Sequence, residues 1–430
     1  MKKIILFIIL AISVGARAQN QISLQQAIDL ALKNNFDIIV SRHQADINRL
    51  NNTMGNAGML PTVNINGTGD AGRFNVHQTL SSGVENKYSS QVTTDLGANA
   101  VLSWTLFDGG KMFVTKKRLS EMQASGELQY NAQVMAVMYD VIATYFDVVR
   151  QKEQLRYINE IIEYNKQRVV IAQTGFNAGT LPKTELLQAQ IDMNVAMGDA
   201  ITQEYAISEV LKSLNVLLGE EASSTIDVSD KIPASEVPDK SEMLQKVETS
   251  NADLLVLKKQ IDVAQLSLKE AQSAYYPTFK MQGGYYYTKG TKSQGTDKSD
   301  QSYGMQVGGT LTIPIYTAGE TKRKKAVAKT ELMIAQNDLE NAKLQINKDL
   351  LSAYDDFYSQ QKLLKIEEQN HLLAKENMEI CLQRLRLGQT TSLEVHQSQE
   401  SYSQSSYRLI NFEYNMKLAE TKLKQMISAL

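Results

Sequence analysis

The chain has 430 residues, 43% hydrophobic and 7% aromatic, enough for two or three ordinary domains. Its net charge of −2 gives no general attraction to nucleic acid, and none is expected as a partner. Four histidines and one cysteine leave little material for a metal cluster or disulfide framework, and Cys381, in a helical run, reads as a small buried hydrophobe.

Lys2 and Lys3 precede an apolar run from Ile4 to Val14, and Ala16-Arg17-Ala18 closes it as a small-x-small cleavage site. Residues 1–18 are therefore expected to be a signal peptide for export. The run is too short to span a bilayer, and no other stretch approaches the roughly 18 uninterrupted apolar residues of a membrane helix. A helical membrane protein is not expected.

From Leu24 to Gly58, apolar residues recur at helical spacing, predicting one helix that ends near Gly55 or Gly58. After Pro61 the period becomes two. Val63, Ile65, Gly67 and Gly69 alternate with Thr62, Asn64, Asn66 and Thr68; beyond a polar loop from Gln78 to Ser90, Leu96, Ala98, Ala100, Leu102 and Trp104 alternate with small polar residues. These rows predict strands of about ten residues, long enough for a tilted strand to cross a bilayer. From Gly110 to Phe176 no proline interrupts, so about 67 residues at 1.5 Å each predict a helix of roughly 100 Å. Val134, Val141, Val148, Leu155, Ile162, Val169 and Phe176 form a heptad seam along it, the signature of coiled-coil packing. A short turn at Gly179–Pro182 and a return helix follow.

The order of elements then repeats. LSWTLFDGG at Leu102–Gly110 returns as LTIPIYTAG at Leu311–Gly319, and FNAGTLPKTELLQAQ at Phe176–Gln190 returns as LRLGQTTSLEVHQSQ at Leu385–Gln399, both 209 positions on (102 to 311, 176 to 385). Pro61 to Pro277 is 216, so the first hairpin is seven residues longer. A register held over so long a stretch predicts helices of matched length packed against one another. The expected division is a first repeat over 19–218 (helix, hairpin 62–107, long helix 110–178, return helix 182–218), a linker over 219–240 with one small strand near Thr225–Val228, and a second repeat over 241–430 (helix, hairpin 278–316, long helix 319–387, return helix 391–428). The seam of the second copy, Leu350, Phe357, Leu364, His371, Met378 and Leu385, has one polar member.

Strands with one apolar and one polar face suit either a soluble sandwich or a barrel with lipid outside and water inside. Two features favour the barrel. The helices are too long for a sandwich to cap, and aromatic residues gather at the strand ends: Trp104, Phe107, Tyr275, Tyr276, Phe279 and Tyr316 near the helices, Phe74, Tyr88, Tyr285–Tyr287 and Tyr303 near the loops. Four strands cannot close a barrel; small barrels need about eight, so chains must share one. Below the strands, Lys111, Lys116, Lys117 and Arg118, and in the second copy Lys322, Arg323, Lys324 and Lys325, form basic clusters that suit lipid phosphates or a solvated face equally.

The duplicated order of helix, hairpin, long helix, tip and return helix, with AGTLPKTELLQAQ and LGQTTSLEVHQSQ at the tips, resembles the TolC family of outer-membrane efflux proteins over nearly the whole mature chain. The resemblance implies a mixed α and β membrane protein: a homotrimer with a 12-stranded β-barrel, four strands per chain, continued by a long α-helical coiled-coil tunnel in the periplasm of a Gram-negative cell. It implies a passive exit duct of a tripartite efflux or secretion system. Its partners would be a periplasmic adaptor (membrane fusion) protein, an inner-membrane RND-type or ABC transporter, and outer-membrane lipid.

The resemblance also places sites. An acidic ring at the periplasmic gate falls on Glu394, with Glu185 as its counterpart in the first copy. Gln397 stands where a second acid would be, and Gln188 is its counterpart, so a single ring is expected. Three carboxylates about 6 Å apart would repel by roughly 0.7 kcal/mol per pair even in water, favouring cations or opening on binding. The alternative is that each Glu complements the dipole of its helix. Gly179 and Gly388 are expected to take positive φ, and the tip residues Phe176, Leu181, Leu385 and Leu387 to meet the adaptor. Trp104, Phe107, Tyr275, Tyr276 and Tyr316 would anchor the membrane interface.

No catalytic residue, cofactor or metal is expected. His43, His77, His371 and His396 are scattered, and Gly67, Gly69 and Gly72 spell GxGxxG with no helix after them. A periplasmic coiled-coil scaffold or adaptor without a pore is the main rival, and the aromatic-flanked strands argue against it. An exported enzyme lacks any convergent polar constellation.

Overall fold

A computed structural model describes residues 20–228 and 231–430, so the signal peptide expected over 1–18 lies outside the described residues. The described elements are β1 (Asn20–Ile22), α1 (Leu24–Asn34), α2 (Phe36–Asn51), β2 (Thr62–Thr79), β3 (Glu85–Asp108), α3 (Lys111–Asn177), α4 (Lys183–Leu217), β4 (Ile226–Val228), α5 (Lys240–Ser250), α6 (Ala252–Ser273), β5 (Thr278–Lys292), β6 (Ser299–Thr312), α7 (Glu320–Arg386) and α8 (Ser392–Met426). The chain forms two compact units. One takes residues up to His43, Leu128–Leu255 and Asn341–Leu430; the other takes Gln44–Glu127 and Val256–Glu340. Each unit draws on both sequence copies.

The second unit holds an antiparallel sheet in the order β2-β3-β5-β6. Its strands run 18, 24, 15 and 14 residues, longer than the expected ten. The stretch read as a polar loop is mostly ladder, and only residues 80–84 separate β2 from β3. Ser, Thr, Asn and Gln hide a strand from a hydropathy reading, yet their backbone pairs as well as any. A second consequence concerns the tyrosines. Tyr285 pairs with Ala100 and Met305, and Tyr287 with Ala98 and Tyr303, so they lie within the sheet and not at its loop end. β6 stops at Thr312, short of the expected 316, because Pro314 has no N–H to donate where the first copy has Thr105. A bulge between Thr105 and Phe107 brings Phe107 opposite Phe279, onto the apolar row. That face is open: Val63, Ile65, Met305, Val307 and Leu311 are 61–86% exposed. The outer edges of β2 and β6 have no partner among the described residues.

In the first unit, β1 pairs in parallel with β4, the small strand of the linker. Around them Ala27, Ala31, Ile38, Val141, Tyr145, Phe146, Val148, Leu214, Leu218 and Val228 form one buried cluster. The Tyr145 hydroxyl donates to the Ile22 carbonyl at 2.9 Å. By length and composition α3 also passes as a membrane-crossing helix, but Val137, Val141, Ile142, Val148 and Val149 are claimed by this core. The heptad seam packs: Val141, Val148 and Ile162 of α3, and Leu350, Phe357 and Met378 of α7, are buried. Ile162 meets Ala196 and Ala200 of α4, and Val169 packs with Ala172, Leu186 and Ala189.

Each expected leading helix is two helices. The break in the first copy is Asn35, whose Oδ1 accepts from the Asp37 and Ile38 amides (2.9 and 3.2 Å) while Nδ2 donates to the Leu217 carbonyl at 2.8 Å. Asn251 repeats the device, accepting from the Leu254 amide at 3.0 Å and donating to the Met426 carbonyl at 2.9 Å. One buried amide thus caps the start of one helix and satisfies a free carbonyl at the end of another. The Asn pair is 216 positions apart (35 to 251) and the carbonyl pair 209 (217 to 426), the same two spacings seen in the sequence. Beside it Gly219 has φ +72, with Asn34 O only 2.4 Å from where a Cβ would stand. α2 ends at Asn51, before the expected glycines, because Thr53 Oγ1 accepts from the Asn56 amide and the Asn56 side chain donates to the Asn51 carbonyl.

Candidate functional site

The two tips share a backbone and differ in chemistry. In the first, the Gly175 carbonyl accepts from the amides of Thr180 and Leu181 (2.8 and 3.2 Å), and Gly179 turns the chain at φ +72. A Cβ on Gly175 would stand 2.6 Å from Leu181, so glycine lets that leucine fold onto the helix end. In the second tip Gly388 has φ +69, and Arg384 replaces Gly175. The Arg384 carbonyl accepts from the Leu387 and Gln389 amides (3.1 and 2.9 Å), and its guanidinium donates to the Gln389 carbonyl at 2.9 Å. Phe176 is exposed, Leu181 and Leu385 are half-buried, and Leu387 is 71% exposed.

The four gate candidates separate into two pairs. Glu394 is exposed in the first turn of α8; its amide donates to Thr391 Oγ1 at 3.3 Å, and its carboxylate accepts from the Thr390 hydroxyl. Gln397 is exposed one turn on. Glu185 and Gln188 instead line a cleft of about 410 Å³ with Arg168, Asp192, Leu393 and His396, between α3, α4 and α8.

Beneath that cleft lies a buried polar network that the sequence reading missed. Arg168, 2% exposed, directs one terminal nitrogen at Asp192 Oδ2 (2.9 Å), Gln399 Oε1 (3.2 Å) and Asn165 Oδ1 (3.3 Å). Gln399 donates to Asn165 Oδ1 at 2.9 Å, and Gln188 to Asp192 Oδ1 at 2.8 Å. His396 Nδ1 stands 3.5 Å from Asp192 Oδ2. The network ties α3, α4 and α8 through groups too polar to leave a packed seam without partners. Its signal was present: Asn165 and Arg168, three apart, interrupt the apolar face between Ile162 and Val169.

Farther along the coils, His371 sits edge-on to Tyr157 (5.4 Å between centroids) and tilted against Tyr402 (5.1 Å). Ser406 Oγ is 3.3 Å from its Nδ1, and the Tyr402 hydroxyl donates to Glu160 at 2.7 Å. Burial pushes the imidazole pKa down, Lys375 pushes the same way, and Glu160 opposes them.

In the sheet-bearing unit, Trp104 Nε1 donates to the Met59 carbonyl at 3.0 Å. Tyr275, Tyr276 and Tyr316 are exposed, with the Lys325 ammonium 6.0 Å from the centre of the Tyr275 ring. Gly109, φ +72, leaves room for Tyr276: a Cβ there would come 2.8 Å from the tyrosine Cβ.

Comparison with known proteins agrees with this architecture. The sequence profile of the outer membrane efflux protein family matches residues 27–220 and 243–429. The outer membrane protein TolC of Vibrio cholerae serotype O1 is 25% identical, the match covering 70% of each chain. The proteases secretion protein PrtF of Dickeya chrysanthemi is 20% identical over all of this chain and 92% of its own. The fold is that of the Campylobacter jejuni CmeC outer membrane channel, with a TM-score of 0.80 at 17% identity over 94% of this chain and 85% of that one. Duplicated hairpins, paired long helices and the matching profile lead to one conclusion: this chain belongs to the outer membrane efflux protein family, as an outer-membrane channel component of efflux and secretion.

Proposed function

We propose that three copies close a 12-stranded barrel and that their long helices line a periplasmic conduit, passive in itself and driven by an inner-membrane pump through an adaptor. The observation that carries this is the open sheet: an exposed apolar face, and two edge strands whose backbone groups need partners in a bilayer. Those edges disfavour a pore-free periplasmic scaffold, for which unpaired strand edges would be an aggregation liability.

At the tips, Glu394 supplies the carboxylate of the gate ring. Its carboxylate also accepts from the Thr390 hydroxyl, so the gate acid is held against the tip turn. Glu185 and Gln188, in the cleft, act in holding the coils together. Phe176, Leu181, Leu385 and Leu387 form the adaptor contact, the exposed Leu387 foremost.

Cysteine scanning tests the assembly. Pairs with one cysteine on β2 and one on β6 should give a covalent ladder ending at three chains, and the purified protein should add conductance to a planar bilayer. A ladder ending at two, or no conductance, refutes the proposal. Glu394→Ala should change single-channel conductance and its sensitivity to divalent ions; no change in either removes Glu394 from the gate.

A further inference from the structure

The helix-side end of the sheet carries a charge excess that the chain does not neutralise. In the segment 320–329, Lys322, Arg323, Lys324, Lys325 and Lys329 face one acid, Glu320, a net of +4 in a chain whose total is −2. Glu320 is taken by Lys324 at 2.7 Å. The other four cations are exposed, with no carboxylate at ion-pair distance among the described residues. The equivalent segment of the first copy is more fully spoken for, since Lys116 donates to Asn52 and Arg118 pairs with Glu270 at 2.8 Å. The opposite end of the sheet is much closer to balance, Lys87, Lys289, Lys292 and Lys298 facing Glu85, Asp297 and Asp300, a net of +1.

Position gives the excess a meaning. Tyr316, 87% exposed, lies between the end of β6 and the start of α7, so the cations begin where the exposed apolar and aromatic surface stops. Lys322 to Lys329 rises about 10 Å along the helix, comparable with the headgroup layer of about 5–8 Å outside each side of the hydrocarbon. Lys322 to Lys325 are consecutive and step about 100° apiece around the axis, so they cannot all turn into a lumen or a neighbouring helix.

We infer that Lys322, Arg323, Lys325 and Lys329 form a collar that binds the phosphate headgroups of anionic phospholipids in the leaflet at the helix-side end of the sheet. The inference rests on the barrel reading given above. The collar sets how deep the barrel sits: aromatic rings hold the interface and the cations hold the phosphates beyond it.

The test uses the mature full-length protein in phosphatidylcholine vesicles doped with a spin-labelled phospholipid, reading the fraction of label immobilised by the protein. Spin-labelled phosphatidylglycerol should associate about tenfold more strongly than spin-labelled phosphatidylcholine at low salt, and the preference should shrink as salt rises. The variant Lys322→Gln/Arg323→Gln/Lys325→Gln/Lys329→Gln should bring it within twofold of none. The milder Arg323→Gln/Lys329→Gln should give an intermediate value, and Lys87→Gln/Lys289→Gln/Lys298→Gln at the other end should leave it unchanged. A wild type without preference, a fourfold variant that keeps it, or a turn-end variant that loses it overturns the collar. If neither label is immobilised by the wild type, the barrel reading fails first and takes the collar with it.

Discussion

The Arg168–Asp192 pair offers the sharpest test of what holds the coils together near the tips. Arg168→Met removes the guanidinium, but Asp192 keeps Gln188 at 2.8 Å and His396 at 3.5 Å, so the loss should be about 2–3 kcal/mol, below the usual cost of breaking a buried pair. Asp192→Leu leaves Arg168 almost wholly buried with only the amide oxygens of Asn165 and Gln399, at 3.3 and 3.2 Å, and should cost about 4–5 kcal/mol. The double variant removes both charges and should cost only about 1–2 kcal/mol, less than either single change. An assembled membrane protein does not unfold in two states, so the quantity to measure is the local opening free energy from amide exchange in the first turns of α4 and α8. Single-variant losses that simply add in the double would show that the two groups do not act as a pair, and the reasoning would fall.

Other consequences can be checked in the same way. Asn35→Ala should weaken protection at the start of α2 by about 2–4 kcal/mol, a lost cap plus a stranded buried carbonyl, whereas Asn35→Ser should recover roughly half by restoring the cap alone. Gly219→Ala, forced to φ +72 with a Cβ 2.4 Å from Asn34 O, should cost at least about 2 kcal/mol, while Ser428→Gly at the equivalent position, φ +52, should be neutral or stabilising. His371 titrates below its unfolded value of about 6.5, so its contribution is whole above that pH and is lost as pH falls through the depressed folded value. His371→Phe should therefore flatten the fall in coiled-coil stability as pH drops below about 6.5; an unchanged pH slope of amide protection around Tyr157 and Tyr402 would refute the assignment.

Much of the fold was legible because its strongest signals are periodic. The heptad seam of α3 needed only apolar residues at every seventh place, and Val141, Val148 and Ile162 are buried as that spacing requires. The strands beyond about ten residues were not legible, since their outer halves mix charged and polar residues on both faces, Asp70, Arg73, Asn75, His77 and Gln78 in β2 and Glu85, Lys87, Ser89 and Ser90 in β3, and the alternation of hydropathy is lost there. The helix breaks escaped for a different reason. Asn35 and Asn251 look like ordinary polar residues of an amphipathic helix, and their role appears only when Leu217 and Met426, some 180 residues away, arrive with a free carbonyl. Arg168 left a signal, the polar break it makes with Asn165 in the apolar face, but not its meaning: a charge beside a seam reads as solvated until Asp192 and Gln399 close over it.

The duplication itself explains where the two copies were free to diverge. Seam residues of α3 and α7 must meet partners at fixed heights, so insertion between tip and helix end is barred and the spacing of 209 persists from the end of the hairpin to the end of the return helix (102 to 311, 217 to 426). What remained variable was side-chain chemistry on a fixed backbone. Gly175 with Leu181 makes the first tip apolar and closely packed, while Arg384 with Thr390, at the same two positions 209 residues on, makes the second polar and places a hydroxyl against Glu394. In the proposed trimer the two tips of each chain would give six ends, each with a glutamate, but Glu394 is exposed while Glu185 lines the cleft beside Gln188, so a ring of charge would carry threefold and not sixfold symmetry.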